Sequence, residues 1–402
     1  MKILVISQYF DPDITAAANR ISESVDILCK AGHEVSVISA TPHKSHIKDF
    51  VEFDKALAAN VIRVSLESEV SGGSANGLIK QYLLFSIGAL RKVFSNIKRI
   101  SPDVVWVSSP PLPITFVSLV IKLIYRVPIV LDVRDIWPES AVNIGKLKRG
   151  SILEKLGLLL EKLSYYHADE ITCVSSNMKA FIASKTSTNI TTIYNSVLAD
   201  GFYNQEINSG NPDIFSYAGN IGHAQDLELV VQSFAKARES KIMSNAMLHI
   251  IGDGALLDEI KSLVLKLGIE KSVQFFGAVP KPKAIEMMSS AGCLLLPLKD
   301  APAFRITVPS KVFDYMALGR PIITNIGGEG ASIISRCKAN EIVPPSNLIE
   351  LSSAMVKIRE SWDKRIEEAI ENSEIIINEF TREQEVLKLE SILLKASRSK
   401  NK

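Results

Sequence analysis

Lys2-Ile3-Leu4-Val5-Ile6-Ser7-Gln8-Tyr9, then a helical pattern over Ala16–Ala31, then Gly32-His33-Glu34-Val35-Ser36-Val37-Ile38 decide how this chain is read. The first run is apolar without alternation, as a strand covered on both faces must be. Gly32 falls where a helix needs a residue of positive φ to end, and a second apolar run follows at once. Strand, helix, strand in that order is a βαβ unit, and its strands lie parallel. The alternation continues through Asp103–Ser108, Ile129–Asp132 and Glu170–Val174. After a lapse it restarts, with strands predicted at Ile214–Ala218, Met247–Ile251, Val273–Phe276, Cys293–Leu296 and Pro321–Thr324. The fold class expected is α/β, with two doubly wound, Rossmann-like parallel-sheet domains.

The lapse is polar and rich in turn formers: Ala199-Asp200-Gly201-Phe202-Tyr203-Asn204-Gln205, then Asn208-Ser209-Gly210-Asn211-Pro212. It sets the expected division into an N-terminal domain, 1–198, a linker, 199–212, and a C-terminal domain, 213–380. Residues 381–402 are expected to form a helix that packs back toward the N-terminal domain, followed by a frayed basic tail, Lys395 to Lys402. Doubly wound domains bind ligands beyond the carboxyl ends of their strands, so the site is expected in the cleft between the domains.

Composition narrows the classes. Of 402 residues, 47% are hydrophobic and 22% charged, an ordinary globular balance that argues against general disorder. The formal net charge of +2 excludes nucleic-acid binding by bulk electrostatics. The charge is uneven, however: Val70 to Pro102 holds no acid but carries Lys80, Arg91, Lys92, Lys98 and Arg99. Cys29, Cys173, Cys293 and Cys337 are too scattered for zinc or a disulfide framework, which points to a reducing compartment. The opening apolar run is too short for a signal peptide. The most apolar region, Val104 to Leu131, is broken by prolines and charges, so a cytoplasmic, non-spanning chain is expected.

A dinucleotide-binding enzyme would carry GxGxxG at its first turn, but Tyr9-Phe10-Asp11-Pro12-Asp13-Ile14-Thr15 has no glycine. Gly252-Asp253-Gly254 and Gly328-Glu329-Gly330 fail at Leu257 and Ile333; the first reads as a tight turn with Asp253 on local amides. Gly219-Asn220-Ile221-Gly222 lies between a strand and a helix predicted from about Gln225. Its glycines let backbone amides approach an anion, and the helix N-terminus adds favourable charge. In Val308-Pro309-Ser310-Lys311-Val312-Phe313-Asp314-Tyr315-Met316-Ala317-Leu318-Gly319-Arg320-Pro321, Ser310 reads as N-cap and Gly319 as C′. Lys311 would then stand at the first helical position, where it can meet a phosphate, and Asp314 one turn on, where it can meet a ribose diol. The same two residues also read as a surface i,i+3 pair.

Taken together these pieces resemble the retaining glycosyltransferases of family four, which have the two-domain GT-B architecture. The resemblance runs from Gly32-His33-Glu34-Val35 through His167-Ala168-Asp169-Glu170 and Ile193-Tyr194-Asn195-Ser196 to Gly219–Gly222, Gly252–Gly254, Phe275–Val279 and Pro309–Pro321. Asp132-Val133-Arg134-Asp135-Ile136-Trp137-Pro138-Glu139-Ser140 is similar to the subgroup that builds O-antigen and capsule repeats, fucosamine transferases among them.

The resemblance implies transfer of a sugar, N-acetylated deoxyamino sugars among the candidates, from a UDP-linked donor to a polyprenyl-diphosphate-linked saccharide. The donor would sit on the second domain and the acceptor on the first, with configuration retained and with no metal or other cofactor. Asp314 matches the second glutamate of the family's E-x7-E motif, while Ile306 stands where the first should be. Asn220 and Gln225 replace the family's diphosphate-binding Arg and Lys, so Arg305 and Lys311 are expected to take over, helped by amides near Gly222 and Ser310. Gly219, Asn220, Gly222, Val279, Arg305, Ser310, Lys311 and Asp314 form the implied donor set. Arg134 aligns with the family's first-domain histidine, and Arg134, Asp135 and Glu139 are the implied catalytic groups, although that loop also reads as a salt-bridged structural turn.

The helical stretch Leu78–Ile100 reads either as an ordinary amphipathic core helix or as a basic surface for anionic lipid at the inner face of the bacterial plasma membrane. His167 reads as a helix-end packing residue, and His33 as a turn residue without a role. Two rival activities fit the same pattern: a non-hydrolysing UDP-sugar epimerase of GT-B fold, and a non-catalytic nucleotide-sugar-binding assembly protein. An NAD oxidoreductase is a distant third.

Overall fold

The computed structural model describes all residues except 43–44, 46–48, 67–74, 144, 200–209 and 400–402, and side chains for all of these but 75, 76, 78 and 399. Most of the expected linker, 199–212, therefore lies outside the described residues. The chain forms two compact units, Met1–Asn195 with Arg382–Lys402, and Ser196–Thr381.

The first unit is built on seven strands: β1 (Lys2–Ile6), β2 (Glu34–Ala40), β3 (Asn60–Val64), β4 (Val104–Ser109), β5 (Ile129–Val133), β6 (Glu170–Cys173) and β7 (Ile190–Thr192). Their order is β3-β2-β1-β4-β5-β6-β7, with every pairing parallel. The second unit has six: β8 (Asn211–Ala218), β9 (Met247–Ile251), β10 (Val273–Gly277), β11 (Ala291–Leu296), β12 (Ile322–Thr324) and β13 (Glu341–Ile342). Their order, β10-β9-β8-β11-β12-β13, is again all parallel. This is the α/β architecture expected.

Strand order reverses between β1 and β4 in one sheet and between β8 and β11 in the other. Loops leaving those neighbouring strands diverge, and the crevice they leave is where such sheets take ligands. Three strands had no counterpart in the sequence reading: β3, β7 and β13. All are sheet edges, and β7 and β13 span only three and two residues. An edge strand is covered incompletely, so it lacks the continuous apolar run that marks β4, β5 and β11, each buried throughout.

The expected frayed tail is corrected over Lys395–Ser399. A helix runs over Arg382–Ser399, and its Val386, Leu389, Ile392, Leu393 and Ala396 join the core of the first unit beside Ile3, Val5, Val104 and Val130. Lys395 pairs with Glu170 at 2.6 Å, Arg382 with Glu23 at 3.0 Å, and His33, given no role from sequence, meets Glu390 at 2.7 Å.

Inside the first unit Arg20 and Asp132 form an ion pair that is almost wholly removed from water. Asp132 accepts Arg20 Nε at 3.2 Å and Nη2 at 3.0 Å, and also the Thr172 hydroxyl at 2.8 Å. The guanidinium gives its other hydrogens to the carbonyls of Ile193 and Tyr194 and to Asn195 Oδ1. All five donors are used, which is what makes so buried a pair tolerable. The pair ties the first helix (Ala16–Lys30) to β5 and to the segment after β7. Replacing Arg20 by Met leaves a buried carboxylate with only the threonine. The expected outcome is a loss of about 3–5 kcal/mol in urea denaturation, and a variant as stable as the parent would show that this pair does not hold the unit together.

Candidate functional site

The residues predicted to bind an anion converge at the β8/β11 reversal of the second unit. β8 ends at Ala218, and the turn Gly219–Gly222 follows directly. β11 ends at Leu296, after which come the short helix Pro302–Ile306 and the helix Ser310–Ala317. The first supplies Arg305; the second supplies Ser310, Lys311 and Asp314.

Lys311 reaches back across the reversal. Its Nζ donates to the Tyr217 hydroxyl at 2.8 Å and lies 4.2 Å from the centre of that ring. The Tyr217 hydroxyl in turn donates to the Asn220 carbonyl at 2.6 Å. From the same helix Tyr315 accepts the Ala218 amide at 2.8 Å and donates to the Ala218 carbonyl at 3.1 Å. Tyr217 and Tyr315, both buried, thus fix the turn at two points. Sequence reasoning passed over them. The available signal was a tyrosine inside a buried strand for Tyr217 and one on the buried side of a helix for Tyr315, each with a hydroxyl that must find a partner.

Lys311 approaches only because residue 219 has no side chain. A Cβ on Gly219 would stand 2.1 Å from Lys311 Nζ, and the backbone there has φ +145°. Withdrawal from water pulls the ammonium down to about 7, against the Asp314 carboxylate, which acts to raise it. Lys311 is therefore a buried amine that is only partly charged near neutral pH.

The second glycine turn has a different task. A Cβ on Gly252 would lie 1.9 Å from the Gly219 carbonyl oxygen, and one on Gly254 2.3 Å from that of Ile221. The Gly219 amide donates to Ile251 O, and that of Ile221 to Asp253 O, both at 2.8 Å. Gly252–Gly254 is thus the backing on which the first turn rests. Asp253 accepts the Gly254 amide at 2.7 Å, the local bond expected of it.

Two details of the Ser310 helix are corrected. Pro309, not Ser310, is the N-cap, and no side chain caps the end. Lys311 is then the second helical residue rather than the first. Proline supplies an extended entry with φ −59°, so no serine cap is needed, and the early amides at Ser310 and Lys311 have no upstream carbonyl within the helix. Gly319 does take the positive φ of a C′ residue, +58°. The helix after Gly222 begins at Leu227 rather than near Gln225; Gln225 instead lies 3.4 Å from the Asn220 amide.

Arg305 is placed differently from Lys311. Its Nε and Nη2 each donate to Asp300 at 2.7 Å on an exposed surface, and the pairing holds the Asp300 carboxyl below its ordinary range. Its backbone closes over Gly328, where a Cβ would sit 2.2 Å from the Arg305 carbonyl. Val279 is half-buried in the loop after β10, and Ile306 ends the Pro302 helix.

In the first unit, Arg134, Asp135 and Glu139 follow β5. Arg134 donates to Ser108 Oγ and to Pro110 O, both at 2.7 Å, binding its loop to the end of β4. Burial raises the Asp135 carboxyl, against a hydrogen bond from Ser140 that lowers it. Tyr82 packs edge-on against Trp137 at 5.7 Å between centroids. Glu139 pairs with Arg149 at 2.6 Å near the surface. Arg134 and Asp135 hold the loop together, and Glu139 faces outward. His167 ends the helix Ile152–His167, its ring edge-on to Tyr166. Among the described residues no group of three or more His, Cys, Asp or Glu could hold a metal ion.

Comparison with known proteins gives two family matches. A model described as glycosyl transferases group 1 matches residues 202–374, and one described as glycosyltransferase family 4 matches residues 17–200. The chain is 26% identical over 244 residues to a probable glycosyltransferase, WbjE, of Pseudomonas aeruginosa, covering 58% of this chain and 60% of that protein. It is 24% identical over 344 residues to the putative colanic acid biosynthesis glycosyl transferase WcaI of Escherichia coli K12, covering 79% and 82%. Among solved structures, sucrose-phosphate synthase from Thermosynechococcus elongatus superposes with TM-score 0.77 at 15% identity, over 98% of both chains. Anabaena HepE in complex with UDP-glucose superposes with TM-score 0.70 at 15% identity, over 98% of this chain and 100% of that one.

The glycine geometry yields an ordered pair of outcomes. Gly219→Ala meets the movable end of a lysine and an unfavourable φ, and should cost about 1–3 kcal/mol in denaturant unfolding. Gly252→Ala meets a backbone carbonyl that cannot yield, and should cost more than Gly219→Ala. The reverse order would show that the two turns are not stacked as described.

Proposed function

The chain is a family 4 glycosyltransferase of GT-B fold, and from that premise we propose that it moves a sugar from a UDP-linked donor to a polyprenyl-diphosphate-linked saccharide, with retention and without a metal. The observation that carries the donor half is the contact of Lys311 with Tyr217 over Gly219. It places one desolvated cation beside the free early amides of a helix, a combination suited to a diphosphate.

In this reading Lys311 and the amides near Gly222 and Ser310 neutralise the charge that develops on the departing diphosphate. Asp314, one turn along the helix, accepts from the ribose hydroxyls. Gly219 and Asn220 shape the floor, Val279 borders the donor, and Arg305 contributes by exchanging Asp300 for phosphate. Departure and attack share one face of the sugar through an oxocarbenium-like state. The resident of the HepE structure, UDP-glucose, supports a uridine nucleotide. WcaI, described for colanic acid biosynthesis, supports a surface polysaccharide, and an N-acetylated deoxyamino sugar fits the O-antigen and fucosamine-type subgroup.

The acceptor belongs with the first unit. Glu139 is the carboxylate there that faces outward, while Arg134 and Asp135 hold the loop that presents it. A lipid-linked acceptor calls for peripheral contact with the inner face of the plasma membrane from the cytoplasm. The helix Ala75–Ile100 supports that contact, with exposed Lys80, Arg91, Lys92, Lys98 and Arg99. Among the described residues no helix is long and apolar enough to cross a membrane.

Calorimetric titration tests the donor half. Asp314→Ala should weaken UDP and uridine alike, whereas Lys311→Ala should weaken UDP far more than uridine. A proton follows the diphosphate: Lys311 titrates near 7 when unliganded and is held protonated by the bound anion. Above pH 7 the free protein must take up a proton to bind, so UDP affinity should fall as pH rises, by up to about tenfold per unit. Lys311→Arg, charged throughout, should flatten that slope. A parent profile that is flat between about pH 7.5 and 9.5, or parent-like UDP binding by Lys311→Ala, would move the donor elsewhere. Arg134→Ala should spare UDP binding and reduce transfer.

A further inference from the structure

The helix Ile152–His167 is built inside out. Its buried side chains are Glu154, Glu161, Ser164 and Tyr165, while Ile152, Leu156, Leu159, Leu163 and Tyr166 on the opposite ridge are exposed, Ile152 and Tyr166 each by 77%. A globular helix carries these two faces the other way round. The inward acids are satisfied: Glu161 pairs with Lys185 at 2.7 Å and accepts the Tyr165 hydroxyl at 3.0 Å, and Glu154 accepts the Gly150 amide. Gly157 lets the helix lie close on Pro138, where a Cβ would come to 3.1 Å. The helix is held firmly by its polar side, and its leucines are turned out.

This face is not isolated. The helix packs beside Ile114–Tyr125, which packs beside Ala75–Ile100; Phe94 and Tyr125 meet across that seam at 6.3 Å between centroids. Both neighbours extend the apolar surface, with exposed Phe116, Leu123 and Ile124 on one and Leu84 and Ile87 on the other. So contiguous an exposed apolar area marks an interaction surface. Its charge has one sign. Ala75–Ile100 and Ile114–Tyr125 contain no acid, and Lys155 and Lys162 point outward on the third helix while both of its acids are buried.

We propose that these three helices form one docking surface for an anionic lipid bilayer, with Ile152–His167 as the element whose leucines enter the acyl boundary. The charge complementarity selects the occupant: a wholly basic rim around an apolar ridge matches anionic headgroups over acyl chains, whereas a second copy of the same face would set lysine against lysine. The proposal rests on the lipid-linked acceptor read above and names the surface that would bring the enzyme to it.

Vesicle sedimentation tests it, using phosphatidylcholine alone and phosphatidylcholine with about one third phosphatidylglycerol. The parent should sediment with the anionic vesicles. Leu156→Glu/Leu159→Glu should lose binding by about tenfold or more, and Arg91→Glu/Lys92→Glu should lose it on anionic vesicles selectively. Leu265→Glu/Ile349→Glu, exposed apolar positions on the second unit, should bind like the parent. UDP titration on every variant reports folding and the donor site independently. Parent-like sedimentation of Leu156→Glu/Leu159→Glu would overturn the proposal. So would a parent that ignores both vesicles while binding UDP, which leaves the donor reading intact. A parent dimer that the same leucine variant breaks would assign the face to a second copy instead. Vesicle binding without UDP binding would keep the surface and remove the donor reading.

Discussion

The contact between the Lys311 ammonium and the Tyr217 hydroxyl organises the second unit. Tyr217 comes from β8 and Lys311 from the helix beyond β11, so their bond spans the two strands between which the sheet order reverses. For the bond to form, nothing may project from residue 219. For residue 219 to hold its turn, its carbonyl must rest on a backbone that also lacks a side chain, at Gly252. The Gly252 amide is in turn bonded to the Gly277 carbonyl at 2.7 Å. One lysine therefore accounts for glycines at the ends of two adjacent strands, β8 and β9, and gives Gly252-Asp253-Gly254 a packing reason of its own.

The same contact bears on a loss of charge. Asn220 and Gln225 stand where the resemblance expects two cations, and they lie within 3.4 Å of each other as a neutral pair. A solvent-exposed cation is screened by water, whereas one removed from water acts through a lower effective dielectric. One desolvated lysine can thus do electrostatic work that would otherwise need two exposed groups. The cost is that Lys311 is only partly charged near neutrality until an anion arrives. Arg305, exposed to solvent and already paired with Asp300, can only exchange one anion for another. On the function proposed above, most of the differential binding falls to Lys311.

Much of the architecture was legible because parallel sheets announce themselves. Strands covered on both faces have to be apolar at every position, and β1, β4, β5 and β11 show this directly in the sequence. The edges β3, β7 and β13 did not, because a half-covered strand of two to five residues carries no pattern distinct from a loop. At the candidate site, Gly219, Gly222, Lys311 and Asp314 were singled out by turn chemistry. Tyr217 and Tyr315 were not, since each counts as one more apolar residue in a buried run until its hydroxyl partner is known. The serine cap failed for a local reason: Pro309 enters the helix with its own fixed φ, and the cap Ser310 would have made has no place. The tail failed for a non-local one. Nothing in Lys395-Ala396-Ser397-Arg398-Ser399 shows that Ala396 has a core waiting for it nearly four hundred residues upstream, against β1.

The helix Ile152–His167 shows the limit of periodicity most clearly. Its pattern has an apolar ridge and a polar ridge, and the ordinary inference buries the first. Two residues reverse it. Glu161 finds both Lys185 and Tyr165, and Gly157 permits an approach to Pro138 that a Cβ, at 3.1 Å from the proline ring, would crowd. Periodicity records that a helix has two faces; it does not record which face finds partners in its own chain. Once the acids are satisfied inside, the leucines are left to whatever lies outside, and the surrounding lysines restrict what that can be. A water-facing ridge of leucine carries a standing free-energy penalty. On the docking surface proposed above, an apolar layer beneath negative charge would relieve that penalty and pair with the lysines at once.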